Sequence, residues 1–194
     1  MTKRQEQAIE TRKALIEAAD RVISRMGPDS FSVEDITAEA GVSKGTFYTY
    51  FERKEEILEE LAYPVFDRIL SESISMDGDA ADRVSRFLTS SIELISDRGI
   101  NMCRGWIRSL TLPDNVKSKR KLEYDREAVE KILSASGCVN DPETVSVILR
   151  EYYGIVFCWC ITDGTSDPIG EMEVFCKGPL RDLVGKGGNI HGSC

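Results

Sequence analysis

The stretch that decides the fold is "FSVEDITAEAGVSKGTFYTYF", residues 31–51. Ser32 with Asp35 three residues later resembles a capping box, with Asp in the place usually taken by Glu or Gln, and predicts the start of a short helix. Gly41 ends that helix in a turn, and Ser43 caps a second short helix. Two short helices joined by a tight turn form a helix-turn-helix.

The second short helix has two different faces. Val42, Phe47 and Phe51 lie on one side and fit a small core with Ile36. The other side carries Lys44, Gly45, Thr46, Tyr48 and Thr49. Such a face is typical of a recognition helix, whose first residues meet base edges in the DNA major groove while hydroxyl and lysine groups meet phosphates. From this pattern alone, a small helical subdomain that merely exposes its tyrosines is the alternative.

The remaining chain has apolar residues at helical spacing, and no alternating run bounded by hairpin turns indicates a strand. The predicted helices cover about residues 5–26, the two short helices, 54 to the mid-70s, 79–95, a short stretch from 101, 116–136, 143–161, and 169–184, where "KGP" at 177–179 should kink or split the last helix. We therefore predict an all-α protein of about nine helices. Its expected domains are a three-helix head at 1–53, a helical unit at 54–184 and a disordered tail at 185–194.

The composition limits the class of protein. The chain has 194 residues, 41% hydrophobic and 30% charged, with a formal net charge of −8. These values are typical of a globular protein and argue against one that coats nucleic acid through bulk positive charge. Because no apolar run approaches the roughly 20 residues of a membrane span and no signal peptide is evident, we expect a cytoplasmic protein with no membrane partner.

A longer stretch, "FSVEDITAEAGVSKGTFYTYFERKEEIL" at 31–58, resembles the DNA-binding segment of the TetR family of bacterial transcriptional repressors. The matching residues are Ile36, Ala40, Gly41, Val42, Ser43, Gly45, Thr46, Phe47, Tyr48, Tyr50, Phe51, Lys54 and Glu55. The resemblance covers about residues 8–60, and beyond them only the number and length of the helices agree.

This resemblance implies a set of roles and partners. The residues that face DNA would be Thr37, Lys44, Gly45, Thr46, Tyr48 and Thr49. Tyr50 and Lys54 would contact the DNA backbone. The partners would be a double-stranded DNA operator, a second copy of the chain bound through the last two long helices, and an unknown small-molecule effector inside the second unit. Effector binding would alter the separation of the two heads and shift the population between DNA-competent and incompetent states.

The candidate effector pocket is predicted from residue type. Large side chains in the appropriate helices are Phe87, Met102, Trp106, Tyr124, Tyr152, Phe157 and Trp159. They favour an apolar or aromatic effector with one polar group, and ordinary core packing is the alternative for each. The basic run "KSKRK" at 117–121 indicates a solvated helix face.

Other chemistry finds little support in the sequence. In "FCWC", Cys158 and Cys160 would point about 200° apart on a helix, so one metal cannot easily bind both. The cysteines are best explained as small hydrophobic residues buried in the core, and redox sensing is the alternative. The one histidine, His191, lies in the tail. We expect no metal, no cofactor and no enzymatic activity, because no nucleophile–base–acid set or phosphate-binding loop occurs.

The sequence thus predicts a ligand-responsive, sequence-specific DNA-binding regulator, a repressor that releases its operator when a small molecule binds. Two alternatives stay open, a transcriptional activator of the same fold and a helical adaptor whose DNA-binding head is idle.

Overall fold

The computed structural model describes residues 2–27, 30–101, 103–104, 107 and 116–186, with side chains described throughout except at residues 55, 116–119 and 186. Its helices are α1 (Lys3–Met26), α2 (Val33–Ala40), α3 (Lys44–Tyr50), α4 (Lys54–Ser75), α5 (Ala80–Asp97), α6 (Val116–Ala135), α7 (Pro142–Ile161), α8 (Pro168–Lys177) and α9 (Pro179–Lys186). No strand occurs in these ranges, and the predicted all-α class is confirmed. The predicted tail lies largely at 187–194, outside the described residues.

The chain forms two compact units, Met1–Val65 and Phe66–Cys194. We call the first unit the head and the other the second unit. The division falls inside α4, between Val65 and Phe66, close to Pro64. A proline inside a helix has no N–H to donate to the preceding turn, so the α-helical hydrogen bonding is interrupted here.

Side-chain caps set the helix boundaries of the head. At the start of α2, the Asp35 amide donates to Ser32 Oγ at 3.2 Å and the Ser32 amide donates to Asp35 Oδ2 at 2.9 Å, so the predicted capping box is confirmed. Gly41 ends α2 with φ 68°, a left-handed conformation that glycine adopts without strain. The Thr46 amide then donates to Ser43 Oγ at 3.1 Å and starts α3.

The core of the head contains apolar side chains from all of its helices. Phe47 and Phe51 are 0% and 2% exposed, with ring centroids 5.2 Å apart, so their predicted burial is confirmed. Other buried core residues are Leu15, Ala18, Ala19, Val22, Val33, Ile36, Ile57 and Leu58. Burial of two aromatic rings fixes which side of α3 faces inward, and leaves its other side to solvent.

The second unit is built from longer helices that begin at aspartate caps. Asp79, Asp141 and Asp167 each accept a backbone N–H in the first turn of α5, α7 and α8. The predicted split near 177–179 is confirmed, because α8 ends at Lys177 and α9 begins at Pro179. The buried core includes Val84, Phe87, Leu88, Ile92, Ala128, Val129, Ile132, Val145, Ile148, Tyr152, Val156, Met172 and Phe175.

Helix α7 differs from the expectation that no segment could span a membrane. By length and composition alone, Pro142–Ile161 would be sufficient to cross one. However, Val145, Ile148, Tyr152 and Val156 are buried among the helices of the second unit. The central helix of a water-soluble protein meets the same two criteria, so this feature is weak evidence for a membrane segment.

Candidate functional site

Helix α3 presents a polar face on the outside of the head. Lys44, Gly45, Tyr48 and Thr49 are exposed, while Thr46 and Tyr50 are half-buried. The Tyr48 ring is 50% exposed and stands edge-on to the buried Phe47 ring, with centroids 5.5 Å apart. Phe47 therefore helps to orient the Tyr48 ring, and half of the Tyr48 side chain is exposed to solvent.

The packing of the head does not require a glycine at position 45. A Cβ added at this position would meet only Ser43 Oγ, at 3.6 Å, which is an ordinary van der Waals contact. Glycine in a helix costs up to about 1 kcal/mol relative to alanine. No neighbour within the head therefore requires a glycine at this position.

An acidic residue of α2 holds the lysine that starts α3. Lys44 Nζ forms an ion pair with the Glu34 carboxylate, and both side chains are more than half exposed. The hydrogen bond from Lys44 lowers the pKa of Glu34, and the same contact raises the pKa of Lys44. A DNA phosphate that binds Lys44 must therefore compete with Glu34.

A second carboxylate neutralises basic groups elsewhere in the head. Arg21 Nε donates to Glu39 Oε1 at 2.9 Å, and Arg25 reaches the other oxygen of Glu39 at 3.5 Å. Through residue 51 the head has seven Lys/Arg and eight Asp/Glu. The net attraction for phosphates is thus small, and sequence-independent binding to DNA should be modest.

Two of the eight residues predicted to contact DNA, Thr37 and Lys54, form contacts inside the head. Thr37 is only 5% exposed, and its hydroxyl donates to the Glu34 carbonyl at 3.1 Å. Lys54 is half-buried, donates to the Phe31 carbonyl at 3.2 Å, and lies 4.7 Å from the centre of the Phe31 ring. Thr37 is a core residue of α2, and Lys54 holds the start of α4 against the segment before α2. These two contacts depend on how the helices pack, and the sequence pattern alone does not identify them.

The second unit contains a polar cluster in which Lys121 and Asp125 are buried and Tyr153 is half-buried. Lys121 forms an ion pair with Asp125, which also accepts a hydrogen bond from the Tyr153 hydroxyl at 2.7 Å. Burial lowers the pKa of Lys121, while Asp125 opposes that shift. Lys121 ends the run that we expected to be a solvated face, so for this residue the expectation is wrong. A local charge pattern cannot report which turn of a helix packs inward.

Aromatic rings surround this ammonium group. Lys121 Nζ lies 4.0 Å from the centre of the Phe66 ring and 5.6 and 5.9 Å from those of Tyr124 and Tyr152. The structure thus brings two of the predicted effector residues together, and adds Phe66. Among the described residues, the buried Tyr152 hydroxyl has no hydrogen-bond partner. Because an unpaired polar atom inside a protein is costly, this hydroxyl can gain a hydrogen bond from a small polar group that enters the site.

The other predicted effector residues are placed differently. Phe87 and Trp159 are buried. Phe157 is 48% exposed on α7, so it does not face the interior of the second unit, contrary to expectation. Met102 and Trp106 lie outside the described residues. Within the described ranges, no group of three or more His, Cys, Asp or Glu residues could hold a metal ion.

Comparisons with known proteins agree with this arrangement. Residues 15–61 match the family described as bacterial regulatory proteins, tetR family. An uncharacterized HTH-type transcriptional regulator of Haemophilus influenzae is 37% identical over 57 residues, 29% of this chain and 30% of its own length. The uncharacterized HTH-type transcriptional regulator YhgD of Bacillus subtilis is 24% identical over 168 residues, 78% of this chain and 85% of its own.

A solved structure shares the fold beyond the head. The transcriptional regulator FadR of Bacillus subtilis, solved in complex with stearoyl-CoA, superposes with a TM-score of 0.56 at 23% identity, covering 89% of this chain and 97% of its own. At this level of identity, the similarity extends to the fold alone.

Proposed function

Since this chain is a TetR-family transcriptional regulator with a DNA-binding helix-turn-helix, we propose that it is a repressor that leaves its operator when a small molecule binds the second unit. The observation that carries the proposal is the outer face of α3, where Tyr48 and Thr49 are exposed beside a glycine that the head itself does not need. We assign the DNA contacts to Lys44, Gly45, Thr46, Tyr48, Thr49 and Tyr50. Such a protein acts in the cytoplasm, where bacterial DNA lies.

Dimerisation of the second unit is the next part of the proposal. Phe157 and Ile161 on α7 and Val174 on α8 are 48%, 61% and 71% exposed. Exposed apolar side chains on successive helices favour a protein–protein interface. Two heads carried by a symmetric dimer can bind two half-sites about one DNA turn apart. Phe157 is therefore assigned to the dimer interface and no longer to the effector pocket.

The effector is proposed to bind near Tyr124 and Tyr152. Both rings lie around Lys121, and the unpaired Tyr152 hydroxyl can form one hydrogen bond with a ligand. These features suit an apolar or aromatic molecule with one polar group. FadR of Bacillus subtilis was solved in complex with stearoyl-CoA, in which a long acyl chain is attached to a large polar group. We therefore propose acyl thioesters and aromatic acids as the first compounds to screen.

The decisive experiment is fluorescence-anisotropy binding of the purified protein to the DNA that flanks its own gene. A salt titration and an unrelated competitor duplex separate specific from electrostatic binding. Tight binding that resists the competitor, and that an effector releases, is the expected result. Equal, weak binding to both duplexes would contradict the proposal and favour the adaptor.

Replacement of Tyr48 tests the face directly. Tyr48→Ala should weaken specific binding by about 1–3 kcal/mol without loss of folding, because the side chain is half exposed. Val139→Ala is the matched control, since Val139 is an exposed apolar residue of the second unit. If both variants bind DNA like the unmodified protein, α3 does not contact the operator.

A further inference from the structure

Two cysteines from distant parts of the chain meet inside the second unit. Cys103, shortly after α5, and Cys160, in the last turn of α7, are both buried. Their thiols share a hydrogen bond with an Sγ–Sγ distance of 2.8 Å, and 57 positions separate them in the chain. Both are free thiols. Sulfur atoms this close need only a small shift to reach the roughly 2.05 Å of a disulfide bond.

A guanidinium group holds the two segments together. Arg104 donates from Nε and Nη2 to the Cys160 carbonyl at 3.1 and 3.0 Å, and it forms an ion pair with Asp163. The segment that contains Cys103 is therefore already held against the end of α7, which contains Cys160. Forming a covalent bond between the sulfur atoms would require little rearrangement of the backbone.

The two thiols are not equivalent. The hydrogen bond with Cys103 lowers the pKa of Cys160, and the positive charge of Arg104 acts in the same direction. The same hydrogen bond and burial raise the pKa of Cys103. Cys160 is thus the thiol that ionises first and Cys103 the one that stays protonated, which is the arrangement of an attacking and a resolving cysteine.

We propose that Cys103 and Cys160 are a modification site that forms a reversible intramolecular disulfide on exposure to a peroxide. The Cys160 thiolate attacks one oxygen of hydrogen peroxide, so that an S–O bond forms, the O–O bond breaks, and hydroxide leaves and is protonated. The Cys103 sulfur then attacks the sulfenic sulfur of Cys160. The S–S bond forms as water departs. The two thiols lose two electrons and two protons, and the peroxide becomes two molecules of water.

This pairing differs from the one that the sequence suggests. The "FCWC" motif draws attention to Cys158 with Cys160, yet Cys158 is exposed on α7 while Cys160 is buried. Cys176 is also buried, but its neighbours are the Ser85 and Thr89 hydroxyls. Among the cysteines that the structure describes, Cys103 and Cys160 are the pair with their sulfur atoms in contact.

Peptide mapping tests the proposal on the full-length protein. The reduced protein is treated with a small excess of hydrogen peroxide at neutral pH and alkylated with N-ethylmaleimide in denaturant. It is then digested with trypsin without reductant. The expected product is a disulfide between peptides 99–104 and 151–177, two hydrogen atoms lighter than their sum, which dithiothreitol removes. The oxidised protein should also unfold several degrees higher, because the bond closes a long loop of the unfolded chain.

Matched variants identify the sulfur atoms, since peptide 151–177 holds three cysteines. The Cys158→Ser/Cys176→Ala double variant should form the same disulfide, and Cys160→Ala should not. The proposal is overturned if the unmodified protein leaves Cys103 and Cys160 open to alkylation, or if the disulfide persists in Cys160→Ala. Because the measurement uses no DNA, its outcome is independent of the proposed repressor function.

Discussion

The head exposes the polar face of α3, whereas the second unit buries a polar cluster between its helices. In the head, Tyr48 and Thr49 lie outside on α3, a helix of seven residues. In the second unit, Lys121, Asp125 and the Tyr152 hydroxyl lie inside, on α6 and α7. Local sequence is enough to predict an outward face on a short capped helix. An internal cluster depends on which helices pack together, and no short motif reports it.

The largest expected effect comes from a variant of the buried polar cluster in the second unit. Asp125→Ala leaves the Lys121 ammonium group buried without its carboxylate, which should lower the free energy of unfolding by about 3–5 kcal/mol. Urea unfolding followed by circular dichroism measures the change. The Lys121→Met/Asp125→Leu double variant is the control, and it should recover most of the stability, because apolar residues of similar size replace buried ion pairs well. A single-variant loss below about 1 kcal/mol would mean that water screens the pair.

Variants of Ser43, which caps α3, test how far the outer face of α3 depends on local structure. Ser43→Ala removes the acceptor for the Thr46 amide and should destabilise the head by about 1 kcal/mol. Ser43→Gly should cost only a few tenths of that, because glycine is tolerated at this position. Amide hydrogen exchange across residues 44–50 measures both. Equal exchange in the two variants would show that tertiary packing, and not the cap, holds α3.

Gly45→Ala should separate stability from function. Alanine has the higher helix propensity and meets no close neighbour here, so the head should gain up to about 1 kcal/mol. The added methyl group should weaken operator binding, because it occupies the space proposed for the DNA backbone. Thermal unfolding and anisotropy on one sample measure both effects. Gly185→Ala on α9 is the control for DNA binding, and a fall in affinity of similar size there would contradict the assignment of Gly45.

The smallest effect concerns the ion pair beside α3. Glu34→Gln frees Lys44 for a phosphate, and DNA affinity should rise roughly two- to fivefold at low salt. The dependence of binding on salt should also steepen, since one more cation takes part. Glu17→Gln is the matched control, because Glu17 pairs with Lys13 on α1. If both variants bind equally well, the effect reflects the overall charge of the head and not the release of Lys44.

Prediction from sequence succeeded where the determinants are close together in the chain. The Ser32 and Asp141 caps, the Gly41 turn and the split of the last helix follow from residues within a few positions of each other, and all occur as expected. It failed for Lys121, whose charge suggested exposure, and it did not identify the packing contacts of Thr37 and Lys54. Each of these side chains instead contacts a neighbour that the sequence pattern did not identify, such as Phe31 or Asp125.

The sequence by itself determined the all-α class, the helix-turn-helix and the side of α3 that faces outward, because helix periodicity and caps act over a few residues. The tertiary structure alone decided which side chains meet across the chain. Asp125 is 28 positions from Tyr153, and Cys103 is 57 from Cys160. Such contacts arise when long helices bury their apolar faces against each other, and that packing sets the partners of every polar group that is buried with them.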